Sequence, residues 1–147
     1  MKKVAVAWML AAWVLHAQQT SVTKLLTPGD VEQITKAKVH LLNKTSTAGP
    51  VGQLNFALED GNQYLMVLVG GRDMFEQWRK LKGIVHAPVS GVGDEAFDGP
   101  DGQIQYVLYF RKGDRSISIS SYLNLEMKPR ISQEQLKGLA KVIVSRL

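Results

Sequence analysis

The chain reads as an α+β protein, an antiparallel sheet of about five to six strands covered on one face by helices. Three observations lead there. Some segments carry apolar residues at helical spacing behind residues that can cap a helix, others alternate apolar and polar residues in pairs joined by turn residues, and the connections are short.

The first 17 residues stand outside that pattern. Lys2 and Lys3 precede an unbroken apolar run from Val4 to Leu15, and Ala17 is the small residue that a signal peptidase favours. The run is shorter than the roughly 20 residues that cross a bilayer as a helix. Residues 1–17 are therefore expected to be a cleavable signal peptide, cut after Ala17, leaving no stable membrane anchor and a secreted or periplasmic product. Residues 18–147 fit a single α+β domain. The chain has no cysteine, so neither a disulfide nor a cysteine-borne lipid is available, and packing and hydrogen bonds must carry the stability. The formal net charge of +5 includes Lys2 and Lys3. What remains is a mild excess without a concentrated basic face, and nucleic acid is not an expected partner.

Thr27 can cap a helix with Pro28 at its first position and Asp30 reaching back, while Leu26 and Val31 close a hydrophobic staple; this helix runs to about Lys36. Val39 to Leu42 can add a short strand. Leu54, Phe56 and Leu58 alternate with polar or small neighbours, Asp60-Gly61-Asn62 turns the chain, and Gln63 to Val69 returns, making a hairpin. Asp73 and Glu76 form a cap-and-return pair ahead of Met74, Phe75, Trp78 and Leu81, with Gly83 as the stop. Glu95-Ala96-Phe97 offers another short strand. A second hairpin pairs the alternating run Ile104 to Arg111 with Ile117 to Leu123 through Lys112-Gly113-Asp114. Ser132 and Gln135 repeat the capping box, Ile131 and Leu136 the staple, and Leu136, Leu139, Ala140, Ile143 and Leu147 make the stripe of a C-terminal helix. The order thus gives two similar helix-strand-hairpin halves plus a closing helix.

Face parity locates the candidate sites. In the last hairpin Tyr106 falls with the core, while Tyr109, Arg111, Ser118, Ser120 and Tyr122 fall on the opposite side, beside Gln105 and Ser116. Such a face is either simply solvated or a binding surface on which the tyrosines give flat contact area. The run Tyr64 to Val69 is apolar on both parities, which fits a central strand buried on both faces, a homodimer interface or an apolar groove.

The stretch Gly91 to Gly102 gathers Gly93, Asp94, Glu95, Asp98 and Asp101. Calcium needs oxygen ligands on such a loop, but this spacing lacks the alternating ligands and downstream glutamate of an EF-hand, so no metal is expected and the residues read as turn-forming and structural. Acid-base work by Asp94 and Glu95 is disfavoured because adjacent strand residues point to opposite faces. His40 and His86 have no histidine partner at metal-ligand spacing, no serine sits in a G-x-S-x-G elbow, and Gly91-Val92-Gly93 lacks the lysine and helix of a phosphate loop. No cofactor is expected.

The succession Leu25-Leu26-Thr27-Pro28, Val92-Gly93-Asp94-Glu95-Ala96-Phe97, Arg111-Lys112-Gly113-Asp114 and Glu134-Gln135-Leu136 resembles uncharacterised bacterial secreted proteins and cell-envelope lipoproteins. It is more remotely similar to the extracellular sensor domains of bacterial serine/threonine kinases. The resemblance implies a non-catalytic envelope domain with a helix-covered antiparallel sheet. The expected function is accordingly a secreted or periplasmic binding or interaction domain, not an enzyme, whose partner is an envelope protein or a small ligand. An extracytoplasmic hydrolase using Asp94 or Glu95, and a self-associating structural envelope protein, are the alternatives.

Overall fold

The computed structural model describes residues 21–45, 52–81, 87–101 and 105–147, and the expected signal peptide lies outside the described residues. The fold is α+β, as its sequence predicts. Seven antiparallel strands make one open sheet: β1 (Val39–Thr45), β2 (Gly52–Leu58), β3 (Gln63–Gly71), β4 (Ala87–Pro88), β5 (Glu95–Asp101), β6 (Gln105–Lys112) and β7 (Arg115–Tyr122), in the spatial order β1-β2-β3-β7-β6-β5-β4. The helices are α1 (Val22–Leu25), α2 (Pro28–Thr35), α3 (Arg72–Arg79) and α4 (Gln133–Arg146). Both expected hairpins form. The seventh strand, β4, is a two-residue edge that alternation has no length to signal, and β1 outruns the expected Val39 to Leu42.

The two halves meet where β3 pairs with β7, from Leu65 opposite Ser121 to Gly71 opposite Arg115. That places Tyr64 to Val69 on an inner strand, with Leu65, Val67 and Val69 buried in the main core and Met66 and Leu68 only partly buried on the other face. Register slips by one residue between Leu41 and Asn43 in β1, so a bulge interrupts the outer strand of that half.

One sheet face and three helices enclose the main core. Leu54, Phe56, Leu65, Val67, Val69, Leu108, Phe110, Ile117 and Ile119 pack beneath Leu25, Leu26, Val31, Leu136, Leu139, Ala140 and Ile143. Each large apolar side chain so buried contributes about 1.5–3 kcal/mol, far more than helix propensity supplies per residue. Both expected capping boxes are present: Thr27 Oγ1 accepts from the Asp30 amide while the Asp30 carboxylate accepts from the Thr27 amide at 2.8 Å, and Ser132 and Gln135 exchange the same pair of bonds.

The remaining helix lies on the other face. Phe75 and Trp78 of α3 cover Phe97, Val107 and Tyr109, and Gly70 leaves the space that Met74 fills: a Cβ there would stand 1.7 Å from the Met74 sulfur. Helical cover is therefore two-sided around β6 and β7, since a stripe shows that a helix packs but not on which face. The expected Asp73 cap does not form. Gly71 holds the N-cap position without a side chain, and Ser116 of β7 substitutes, its Oγ accepting from the Phe75 amide at 3.0 Å and donating to the Arg72 carbonyl at 3.2 Å. The helix also stops earlier than expected, at Arg79, and the expected stop residue Gly83 lies outside the described residues.

Arg146, at the end of α4, fastens the start of the domain. Its two terminal nitrogens donate to the Asp30 carboxylate at 2.6 and 2.9 Å, and one also reaches the Leu25 carbonyl at 3.3 Å. The Arg146 hydrogen bonds, with lesser help from Thr27, hold the Asp30 pKa at about 2 against an ordinary 3.8. A carboxyl depressed in the folded state stabilises the fold above its unfolded pKa, and that stabilisation is lost as pH falls through the folded value. Arg146 is about a third exposed, so screening trims the clamp to about 1–2 kcal/mol. Urea unfolding of Asp30→Asn should show that loss at neutral pH, together with a flatter stability profile than the parent between about pH 4 and pH 2. Ser116→Ala orphans the Phe75 amide and should cost about 1–3 kcal/mol in the same assay, with no change in the pH profile.

Candidate functional site

The polar face of the last hairpin is not an open surface. Tyr109, Ser118 and Ser120 are 2%, 4% and 2% exposed, because α3 lies over them. The Tyr109 ring stacks on Phe97 at 4.9 Å and meets Trp78 at 5.3 Å, and Phe75 completes the cluster 5.2 Å from Phe97. Parity assigned these residues to the correct side of the sheet; the helix that covers that side carries its own stripe far away in sequence. A binding surface built on Tyr109, Ser118 and Ser120 is thereby overturned. Small serines fit that position because they let the helix backbone approach the strand. Arg111 and Tyr122, at opposite ends of the face, remain partly exposed.

At the Arg111 end the acidic residues divide. Asp94 precedes β5, following Gly93 at φ 56°, and this bend lets Asp94 and Glu95 converge on one arginine instead of diverging as regular strand neighbours would. Arg111 approaches Asp94 at 3.6 Å and Glu95 at 3.5 Å, Lys112 approaches Asp94 at 3.4 Å, and Arg79 of α3 pairs with Glu95. The Gly113 amide donates to Asp94 at 2.8 Å and, with Lys112 and Arg111, holds its carboxyl below the usual range. A shallow cleft of about 350 Å³ lies beside this network, walled by Arg79, Pro88, Val89 and Phe97. Asp98 is elsewhere. It is buried on the main-core side under the first turn of α4, accepting from the Gln133 amide group. Burial chiefly, and then Asp98, pushes the Tyr106 hydroxyl pKa up. Asp101 ends β5 opposite Gln105. The expected loop is thus three separate places, and no group of three metal-ligating side chains occurs among the described residues.

At the Tyr122 end a second concavity opens, about 450 Å³ in volume, between the β2–β3 turn and the segment that leaves β7. That segment is tightly built. Leu123 bridges to Pro129, the Asn124 amide donates to the Lys128 carbonyl at 2.8 Å, and the Asn124 side-chain oxygen accepts from the Glu126 and Lys128 amides at 2.9 and 3.0 Å. The Arg130 amide then donates to the Tyr122 carbonyl at 3.1 Å, and Ile131 anchors to Ser121 Oγ at 3.0 Å. The result fixes Tyr122, Leu123, Leu125 and Arg130 around one groove, with Asn62 and Gln63 opposite. Leu125 is fully exposed.

Arg130 is the unusual member. Its guanidinium makes no hydrogen bond or ion pair among the described residues, and its Nε is buried with no partner. Asp60 lies within its field, but that carboxylate is already held below the usual range by the Asn62 amide at 2.9 Å and the Asn62 side chain at 2.7 Å, with Arg130 a smaller influence. Arg130 is the one cation among the described residues that line the groove, which makes its guanidinium the group there that can take an anionic acceptor. Sequence reasoning named Tyr122 and missed Arg130. The available signal was an arginine directly before the staple residue Ile131, at a position whose backbone must stay close to β7.

Comparison with known protein families, with curated proteins and with solved structures gives no match.

Gly93 is the residue on which the acidic corner turns. Its φ is positive, and a Cβ would meet the Arg111 carbonyl oxygen at 2.4 Å. Gly93→Ala should therefore destabilise the domain by about 1–3 kcal/mol in chemical unfolding, and weaken amide protection at Gly113 in hydrogen exchange.

Proposed function

We propose that this protein is an extracytoplasmic, non-catalytic binding module and that the Tyr122–Arg130 groove is its recognition surface. The observation that carries the reading is the Arg130 guanidinium, held in a concave site without a hydrogen-bonding partner of its own among the described residues. Location outside the cytoplasm rests on the signal-like character of residues 1–17. No described helix is long and apolar enough to cross a membrane.

The hydrolase alternative fares less well on chemistry. A general acid needs a carboxyl whose pKa is raised toward neutrality, whereas Asp94 is depressed and both Asp94 and Glu95 are engaged by cations. No enzyme family or enzyme fold matches the chain. Self-association has one pointer, the doubly apolar run in β3, whose Met66 and Leu68 are partly exposed on the face opposite the main core.

A screen of small amphiphilic fragments against the ¹⁵N-labelled protein checks the assignment. Shift changes should gather on Gly61 to Gln63, Tyr122 to Leu125 and Arg130, and should persist in Asp94→Asn and Glu95→Gln. Changes centred instead on Arg79, Val89 and Glu95 would move the site to the other cleft.

A further inference from the structure

The groove also specifies what it takes, on the assumption that it is the recognition surface. We infer that it binds a small monoanionic carboxylate carrying an apolar or aromatic body, with Arg130 receiving the carboxylate and Tyr122 and Leu125 receiving the body. The anionic head follows from the guanidinium. It is permanently charged, accepts nothing, and presents donors in a planar fork that a carboxylate matches with two parallel bonds. Its Nε is closed off from solvent, so the terminal nitrogens of this part-exposed side chain are the donors a carboxylate in the groove can reach.

The charge count of the groove favours one negative charge over two. Arg130 is its only cation among the described lining residues, and Asp60 is close enough for Arg130 to influence its titration. A monoanion leaves the Arg130 pair neutral, while a phosphate dianion would leave excess negative charge beside Asp60, with repulsion as the consequence. The apolar body follows from the walls. Leu125 is 101% exposed on a segment that its own hydrogen bonds fix in place, so it cannot fold inward to bury itself. Tyr122 beside it is half-buried and has an aromatic face to offer. A carboxylate alone would leave both uncovered. Two sources share this chemistry, a free aromatic or aliphatic acid and the C-terminal residue of a peptide.

The test uses the full-length ¹⁵N-labelled chain and follows the Arg130 Nε–H resonance, which burial protects from rapid exchange. Titration with phenylacetate should move that resonance saturably, while acetate and inorganic phosphate should bind at least tenfold more weakly. Arg130→Gln should weaken phenylacetate binding at least tenfold, read from the Leu123 and Leu125 amides. Tyr122→Ala should weaken it severalfold. Should Arg130→Gln fail to fold, the neutral isostere phenylacetamide makes the same comparison on the unaltered protein and should again bind at least tenfold more weakly. A Gly-Phe dipeptide with a free C-terminus that outbinds phenylacetate identifies the peptide source, and the reverse order identifies the free acid; either order supports the carboxylate. Equal affinity for phenylacetate and phenylacetamide overturns the anionic head while leaving the groove as a binding surface. Phosphate binding as tightly as phenylacetate overturns the apolar body. Absence of any saturable shift at Arg130 up to tens of millimolar overturns the inference, and the fragment map then decides the groove separately.

Discussion

The pairing of β3 with β7 is the contact on which the rest depends. It joins strands about fifty residues apart and converts two three- or four-stranded pieces into one sheet, with Leu65, Val67, Val69, Ile117 and Ile119 in the middle of the main core. Each half alone would expose the apolar side of its inner strand, so neither is a separate folding unit in the ordinary sense. The same ladder fixes what stands at its two ends. One end brings Ser116 beneath α3 and sets the acidic corner next to Arg79; the other brings Tyr122 beside the β2–β3 turn and opens the groove.

The helices break the likeness of the halves that the strand order suggests. A rotation that exchanged β3 with β7 would send helices to matching positions on the same face, yet α3 follows β3 onto one face and α4 follows β7 onto the other. The difference is visible in the residues beneath them. Leu136, Leu139 and Ile143 of α4 need branched aliphatic partners, whereas Phe75 and Trp78 of α3 lie over serines, glycine and the flat rings of Phe97 and Tyr109. Large rings over small residues and bulky aliphatics over bulky aliphatics are two ways of filling the same interior to crystal-like density.

Much of this was legible in the sequence, and the reasons differ by element. Thr27 and Ser132 announce their helices because a cap is a local bargain between a side chain and an amide three residues on. Alternation fixes both hairpins and the face of every residue in them. What alternation lacks is any information about which distant element lies over a face, and that is why Tyr109, Ser118 and Ser120 read as wettable when they are buried. The failure at Asp73 has the same origin: the cap of α3 comes from Ser116, more than forty residues away. Asp94 and Glu95 share Arg111 because the Gly93 bend cancels the strand rule that would have separated them. Arg130 carried no periodic signal at all, since it lies on the irregular segment that leaves β7.

The edges of the sheet have a bearing on how such a chain survives without covalent cross-links. One margin is β1, whose ladder is broken by the bulge between Leu41 and Asn43, and the other carries β4, which ends in a proline that has no amide to donate. A growing cross-β stack needs a straight, uninterrupted row of amides and carbonyls on which the next strand can register. The bulge in β1 and the proline in β4 each interrupt that row. For a domain without cysteine, irregular borders keep hydrogen-bonding capacity turned inward, so that the inner ladder closes on itself and not on a neighbouring molecule.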